Sequence, residues 1–113
     1  TQTNINQKIT TQSLSVMVKH IVAFKLKGTK DERLTLARQF KSALEALPEQ
    51  IAVLQDIEVG INENPAEDWD IVLTATLEQM ADVPVYAQHP AHLAAASIIA
   101  NHKESRACVD YNC

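Results

Sequence analysis

The sequence predicts an α+β domain in which helices cover one face of a small antiparallel sheet. Three observations carry this prediction. Four segments are rich in β-branched residues and alternate like strands, two regions carry helix start and stop signals, and their order is β-α-β-β-α-β. All of this falls within residues 17–113, a span suited to one domain.

Thr1–Val16 stands apart from that pattern. Eleven of its sixteen residues are Thr, Gln, Asn or Ser, and Lys8 is its only charge. Ile5, Ile9 and Leu14 follow no sustained period. The expectation is an N-terminal extension over residues 1–16, disordered or loosely docked, ahead of a domain over 17–113. It lacks the basic start and apolar centre of an intact signal peptide.

The first strand is Val18–Leu26, with Val18, His20, Val22, Phe24 and Leu26 on one face and Lys19, Ile21, Ala23 and Lys25 on the other. Gly28 and Thr29 break it. Thr29 followed by Glu32 is a capping box and starts a helix over about Lys30–Leu47. Leu36, Phe40, Ala43, Leu44 and Leu47 form its apolar side, and Pro48 stops it. The second strand is Ala52–Ile61, with Val53, Ile57, Val59 and Ile61 alternating against Leu54, Asp56, Glu58 and Gly60. Asn62–Asp68 is turn chemistry, and Trp69–Leu77 is the third strand. Glu78–His102 reads as an interrupted helical region. Pro84 sits in the first turn of a short helix capped by Asp82, and Pro90 opens a second helix with His89 near its cap. Leu93, Ile98 or Ile99 supply that region's buried side, and Arg106–Tyr111 is the last strand.

This order is the ferredoxin-like split βαβ arrangement, a four-stranded antiparallel sheet with helices on one face. The other face is left bare, yet the first and third strands are apolar on both sides. A second copy of the chain is the simplest cover, giving a homodimer through facing sheets and hence a dimeric α+β barrel.

Composition excludes several classes. The formal net charge of −4 argues against a nucleic-acid partner. Leu93–Ala100, the longest mostly apolar run, is far too short to span a membrane. Gly28 and Gly60 are the only glycines, so no phosphate-cradling loop exists. Charge is divided along the chain: Pro48–Ala100 holds nine acidic residues and no Lys or Arg. The expected redox state is a buried Cys108 and a free Cys113, too far apart along an extended segment to bridge. A cytoplasmic setting is favoured, with an exported form after signal-peptide removal as the alternative.

Three stretches then identify a family. VKHIVAFKLK (18–27), YAQHPAH (86–92) and SRACVDY (105–111) occur in the order and at the separations of the stress-responsive A/B barrel family, Dabb, which the chain resembles over Met17 to about Tyr111. The resemblance implies ferredoxin-like subunits paired sheet to sheet. It also implies a site, because a plant member, olivetolic acid cyclase, closes a polyketide by a metal-free aldol condensation. Its pocket residues correspond here to His20, Tyr86 and His92.

Each of these residues has two readings. His20 is a site residue or a structural His satisfied by a hydrogen bond. His92 is a general base or a helix-packing His. Tyr86 donates to an enolate oxygen or is a core aromatic whose hydroxyl reaches water. Asp110 is a partner for a His or a backbone amide, and Trp69 is core or interface. His89 and His92, three apart, lack the further ligands zinc requires, and Glu63, Glu67, Asp68 and Asp70 lack calcium-loop spacing. No metal and no cofactor is expected. The function expected is binding or conversion of a small carbonyl-containing, polyketide-like ligand in a pocket between sheet and helices by metal-free acid–base chemistry. The alternatives are a non-catalytic stress-associated homodimer and a cofactor-free oxygenase.

Overall fold

The computed structural model describes residues 17–113, and the expectation for Thr1–Val16 lies outside them. The elements are β1 (Val18–Leu26), α1 (Lys30–Glu45), a 3₁₀ turn (Leu47–Glu49), β2 (Leu54–Ile61), β3 (Ile71–Leu77), α2 (Asp82–Ala87), α3 (Pro90–Ala96) and β4 (Lys103–Asn112). They form the expected β-α-β-β-α-β order around a four-stranded antiparallel sheet, arranged β2-β3-β1-β4. No helix among the described residues is long and apolar enough to cross a membrane.

β1 is central and its alternation is clean. Val18, His20, Val22, Phe24 and Leu26 are buried beneath the helices. Ile21 and Ala23 point the other way, beside Val72 of β3 and opposite Val109 and Ala107 of β4. Val72, Val109 and Tyr111 are exposed on that open face.

The helix face is closed by α1 through Ala37, Phe40 and Leu44, with Phe40 edge-on to Phe24. The capping box forms as expected: the Glu32 amide donates to Thr29 Oγ1, and the Thr29 amide to Glu32 Oε1. α1 ends at Glu45, short of the expected Leu47, and the chain tightens into the 3₁₀ turn, because Pro48 has no amide N–H to continue the α-helical ladder. Leu47 still enters the core, and its carbonyl accepts from the Gln50 and Ile51 amides.

Three further expectations are corrected. β2 starts at Leu54, not Ala52, and carries a bulge, with Leu54 opposite Leu77 and Asp56 opposite Thr76. The extra residue, Gln55, resets the alternation, so Leu54 joins Ile57 and Val59 in the core while Val53 is only half-buried. β3 starts at Ile71. Trp69 lies outside the core with Lys25 Nζ 5.3 Å from its ring, and Asp70 leaves the strand to accept from the Leu26 amide (2.7 Å) and Arg33 Nη1 (2.8 Å). α2 is capped by Ala81 without a side-chain bond, with Asp82 as its first residue. Of the three side chains expected to share the buried side of this region, Ile99 is buried, Ile98 is partly buried and Leu93 is 56% exposed. α3 ends at Ala96, so its inward line runs through His92, Ala95 and Ile99 instead.

Candidate functional site

The site is assembled at the β1–β4 edge, under the two short helices. His20 and Asp110 are direct cross-strand partners, and the imidazole Nδ1 and the carboxylate Oδ1 share a short hydrogen bond. With the proton on Nδ1 facing the carboxylate, the lone pair of the neutral ring lies at Nε2. Tyr86 hangs from α2, fully buried. Its ring stands edge-on to His20 (centroids 5.7 Å apart) and to His92 of α3 (4.7 Å). The structure therefore brings His20, Tyr86 and His92 together, with the tyrosine between the two imidazoles.

His92 is aimed inward because His89 and Pro90 set the start of α3. Pro90 occupies the first helical position, and His89 Nδ1 accepts from the Ala91 amide at 3.0 Å. That bond commits Nδ1 of His89 to capping.

A cavity of about 100 Å³ adjoins these rings. Its apolar wall is Val22, Phe24 and Leu73, its helix wall is Ala87, Ala96 and Ile99, and His20 and His92 line it between them. Lys103 and Arg106 of β4 also line it. A larger concavity, about 680 Å³, is a more open groove between α1 and the β2–β3 loop and contains none of these residues.

Two buried polar atoms in this cluster have no hydrogen-bond partner, Tyr86 Oη and His92 Nδ1. The reading in which the Tyr86 hydroxyl reaches water is corrected, since the whole residue is shielded. Burial pushes the Tyr86 hydroxyl well above its ordinary range, so it remains a donor. Burial also pushes His92 below its usual value. The charges of His20 and Arg106 act in the same direction, against an opposing backbone contact at Ala87. His92 is thereby held neutral at pH 7.

Sequence reasoning missed Cys108, Lys103 and Arg106. Cys108 is half-exposed and not buried as expected; its Sγ lies 3.6 Å from His20 Nδ1. Burial and the Asp110 carboxylate raise its thiol, which stays protonated. His20, Cys108 and Asp110 offer one nitrogen, one sulfur and one oxygen, all within 4.8 Å of one another. They are the residues best placed to hold a soft divalent ion among those described. The available signal was the period of SRACVDY, which places Arg106, Cys108 and Asp110 on one face.

Fold and site together define a ferredoxin-like α+β subunit with one face closed over a small cavity of apolar walls and a few polar groups, and the other open. Residues 18–113 match the family model described as the stress responsive A/B barrel domain, and the chain belongs to that family. Among solved structures it is similar to a dimeric protein of ferredoxin-like fold from Bacteroides fragilis, at 52% identity and a TM-score of 0.83, over 86% of this chain and 96% of that one. A dimeric ferredoxin-like protein from Thermobifida fusca matches at 27% identity and a TM-score of 0.72, over 88% and 92%. The hydroxynitrile lyase of Passiflora edulis shares the fold at 17% identity and a TM-score of 0.71, over 88% and 94%. No curated protein sequence matches significantly.

Proposed function

We propose that this protein is a homodimer, paired through the open faces of its sheets, that binds and converts a small carbonyl compound by acid–base chemistry at His20, Tyr86 and His92. The observation that carries the reading is a pair of unsatisfied buried atoms on touching rings, His92 Nδ1 on a residue that lines the cavity and Tyr86 Oη on a residue that lies behind that lining. Buried polar groups without partners are costly and cluster where a ligand is meant to satisfy them. Tyr86 is not part of the cavity lining, so α2 and α3 must shift for a carbonyl oxygen to accept from its hydroxyl, and that bond then strengthens as charge develops on the oxygen.

The base in this scheme is His20. Its Nδ1 side is held by Asp110, which fixes the ring and lies against it when Nε2 takes a proton. His92, kept neutral by burial, binds and orients the ligand. That assignment departs from the expectation that His92 is the base, and the Asp110 contact supports the exchange of roles. The reaction is removal of a proton next to a carbonyl. A base and an oxyanion donor suffice for it, so it needs no metal. The Passiflora neighbour bears a name that denotes carbonyl-forming lyase chemistry on the same fold.

Size limits the ligand. About 100 Å³ is less than the roughly 150 Å³ apolar cavity that accepts benzene. A compound of a few heavy atoms fits, and a polyketide does not without opening of α2 and α3. The homodimer is supported by the dimeric neighbours and by the apolar open face of Ile21, Ala23, Val72 and Val109.

The test is deuterium uptake at the α-carbon of small ketones, aldehydes and oxo acids in heavy water, followed by NMR. The parent protein accelerates exchange of at least one, and His20→Gln lowers that rate by roughly 10²–10⁴-fold. If no carbonyl compound exchanges faster with protein than without it, the enzyme reading is dropped and the non-catalytic dimer stands.

A further inference from the structure

We propose that the carbonyl ligand carries a carboxylate, making it a small oxo acid whose anionic end is held by Arg106 with help from Lys103. This rests on reading the cavity as a carbonyl site and names the substrate class. Both side chains line that cavity. Neither has an acidic partner among the described residues, where the ion pairs are Lys25–Asp68 and Arg33–Asp70 and Asp110 is hydrogen-bonded to His20. Asp110, on the same strand face as Arg106, is committed to His20, and Glu104 forms no ion pair with either cation.

The placement follows from the fold. No Lys or Arg occurs from Pro48 to Ala100, so β2, β3, α2 and α3 bring no cation to the site. The positive charge comes from β4 alone. Arg106 is paired with Phe24 and so projects on the helix-facing side of the sheet, in line with Cys108 and Asp110. β4 is an edge strand that the helices leave largely uncovered, which puts both cations at the mouth of the cavity, not in its depth. A carboxylate anchored there keeps contact with water, while its carbonyl reaches inward to His92 and, once the short helices shift, to Tyr86 behind it. No charge has to be buried. The guanidinium fork matches a carboxylate through two parallel bonds, a fit a neutral ketone cannot use.

The chemistry balances on these groups. The C–H bond next to the carbonyl breaks, and its proton goes to His20 Nε2. Its electron pair forms the carbon–carbon double bond of the enolate, and the carbonyl π pair moves to the oxygen facing Tyr86. Return of a solvent deuteron reverses the path and gives the labelled acid.

Three probes separate this proposal from the reading beneath it: pyruvate, acetone and acetate, each titrated by NMR at low salt against the parent and Arg106→Gln. Arg106 is exposed and outside the core, so the variant folds, and Lys41→Gln is the control for bulk charge. Pyruvate should bind the parent about 10- to 100-fold more tightly than acetone does, and Arg106→Gln should erase that advantage while leaving acetone unchanged. Acetone equal to pyruvate, or no effect of Arg106→Gln, overturns the carboxylate anchor and leaves the carbonyl site standing. Acetate equal to pyruvate, lost with Arg106→Gln and with no α-exchange, keeps an anion site and overturns the carbonyl reading. Binding of none of the three overturns both.

Discussion

Removing one atom from Tyr86 should make the protein more stable and less capable. Tyr86 is 0% exposed, and its hydroxyl has no hydrogen-bond partner among the described residues. In the unfolded chain that hydroxyl is hydrated. In the folded chain it loses its water and gains nothing, at a cost of about 1–3 kcal/mol. Tyr86→Phe keeps the ring, and with it the edge contacts to His20 and His92. No cavity is opened, so the usual penalty of core truncation is absent. The net expectation is stabilisation by about 1–3 kcal/mol, which for a domain of this size raises Tm by roughly 4 °C or more.

The assay is urea unfolding of parent and variant at one protein concentration, because an assembling chain has a concentration-dependent stability. The slope against urea should stay the same and only the midpoint should rise. The variant should also lose the α-proton exchange of the parent, since the donor to the developing oxyanion is gone. Destabilisation by about 1 kcal/mol or more would refute the reasoning. It would mean that the hydroxyl is satisfied in the folded protein, and that no unmet donor awaits a ligand.

Three other outcomes are expected. Burial holds His92 below its ordinary pKa of 6.5, so the folded chain resists protonating it. Its contribution to stability is complete above pH 6.5 and declines as pH falls below that value; the parent should lose more urea resistance than His92→Gln between pH 7.5 and 5.5, and equal losses would contradict this. Ile21 faces Val109 across the open face, so Ile21→Glu places a charge in the proposed dimer contact. Light scattering should then show the mass of one chain with the far-UV spectrum retained; an unchanged mass would move the interface elsewhere. Gly28 has φ +116°, so Gly28→Ala should cost about 1 kcal/mol or more through backbone strain, read by urea midpoint, with the added Cβ meeting Glu32 only at ordinary contact distance.

What was legible in the sequence was local. The Thr29–Glu32 capping box, the alternation of β1 and the Pro90 helix start are each written within a few consecutive residues, and each appears in the structure. What was not legible depended on partners distant in the chain. The bulge at Gln55 has no Gly or Pro to announce it, and it moves Leu54 into the core only because Leu77 lies opposite. Leu93 and Ile99 compete for the same wall, and where α3 stops decides between them. For the site, YAQHPAH and the face of β1 pointed to His20, Tyr86 and His92. Cys108 and Arg106 stayed hidden because their meaning comes from the antiparallel register with β1, 88 residues away in the case of Cys108 and His20. Asp110 was half-visible: its chemistry suggested a His partner, and the register names which one.

That register also ties the proposed site to the proposed dimer. β1 alternates between the two, with His20 turned to the cavity and Ile21 to the open face, one peptide unit apart. β4 repeats the pattern, with Arg106, Cys108 and Asp110 on the site side and Ala107, Val109 and Tyr111 on the other. β4 is an edge strand, held laterally by β1 alone, yet it carries every cation of the cavity and the carboxylate that orients His20. A lone subunit would leave this strand exposed along most of its length, a poor scaffold for groups that must keep their positions to a fraction of an ångström. A second sheet packed on Val109 and Tyr111 would immobilise the strand from behind without entering the cavity. On this argument the partner chain contributes no residue to the chemistry. Its contribution is the rigidity of the strand on which the Arg106 anchor and the His20–Asp110 pair depend.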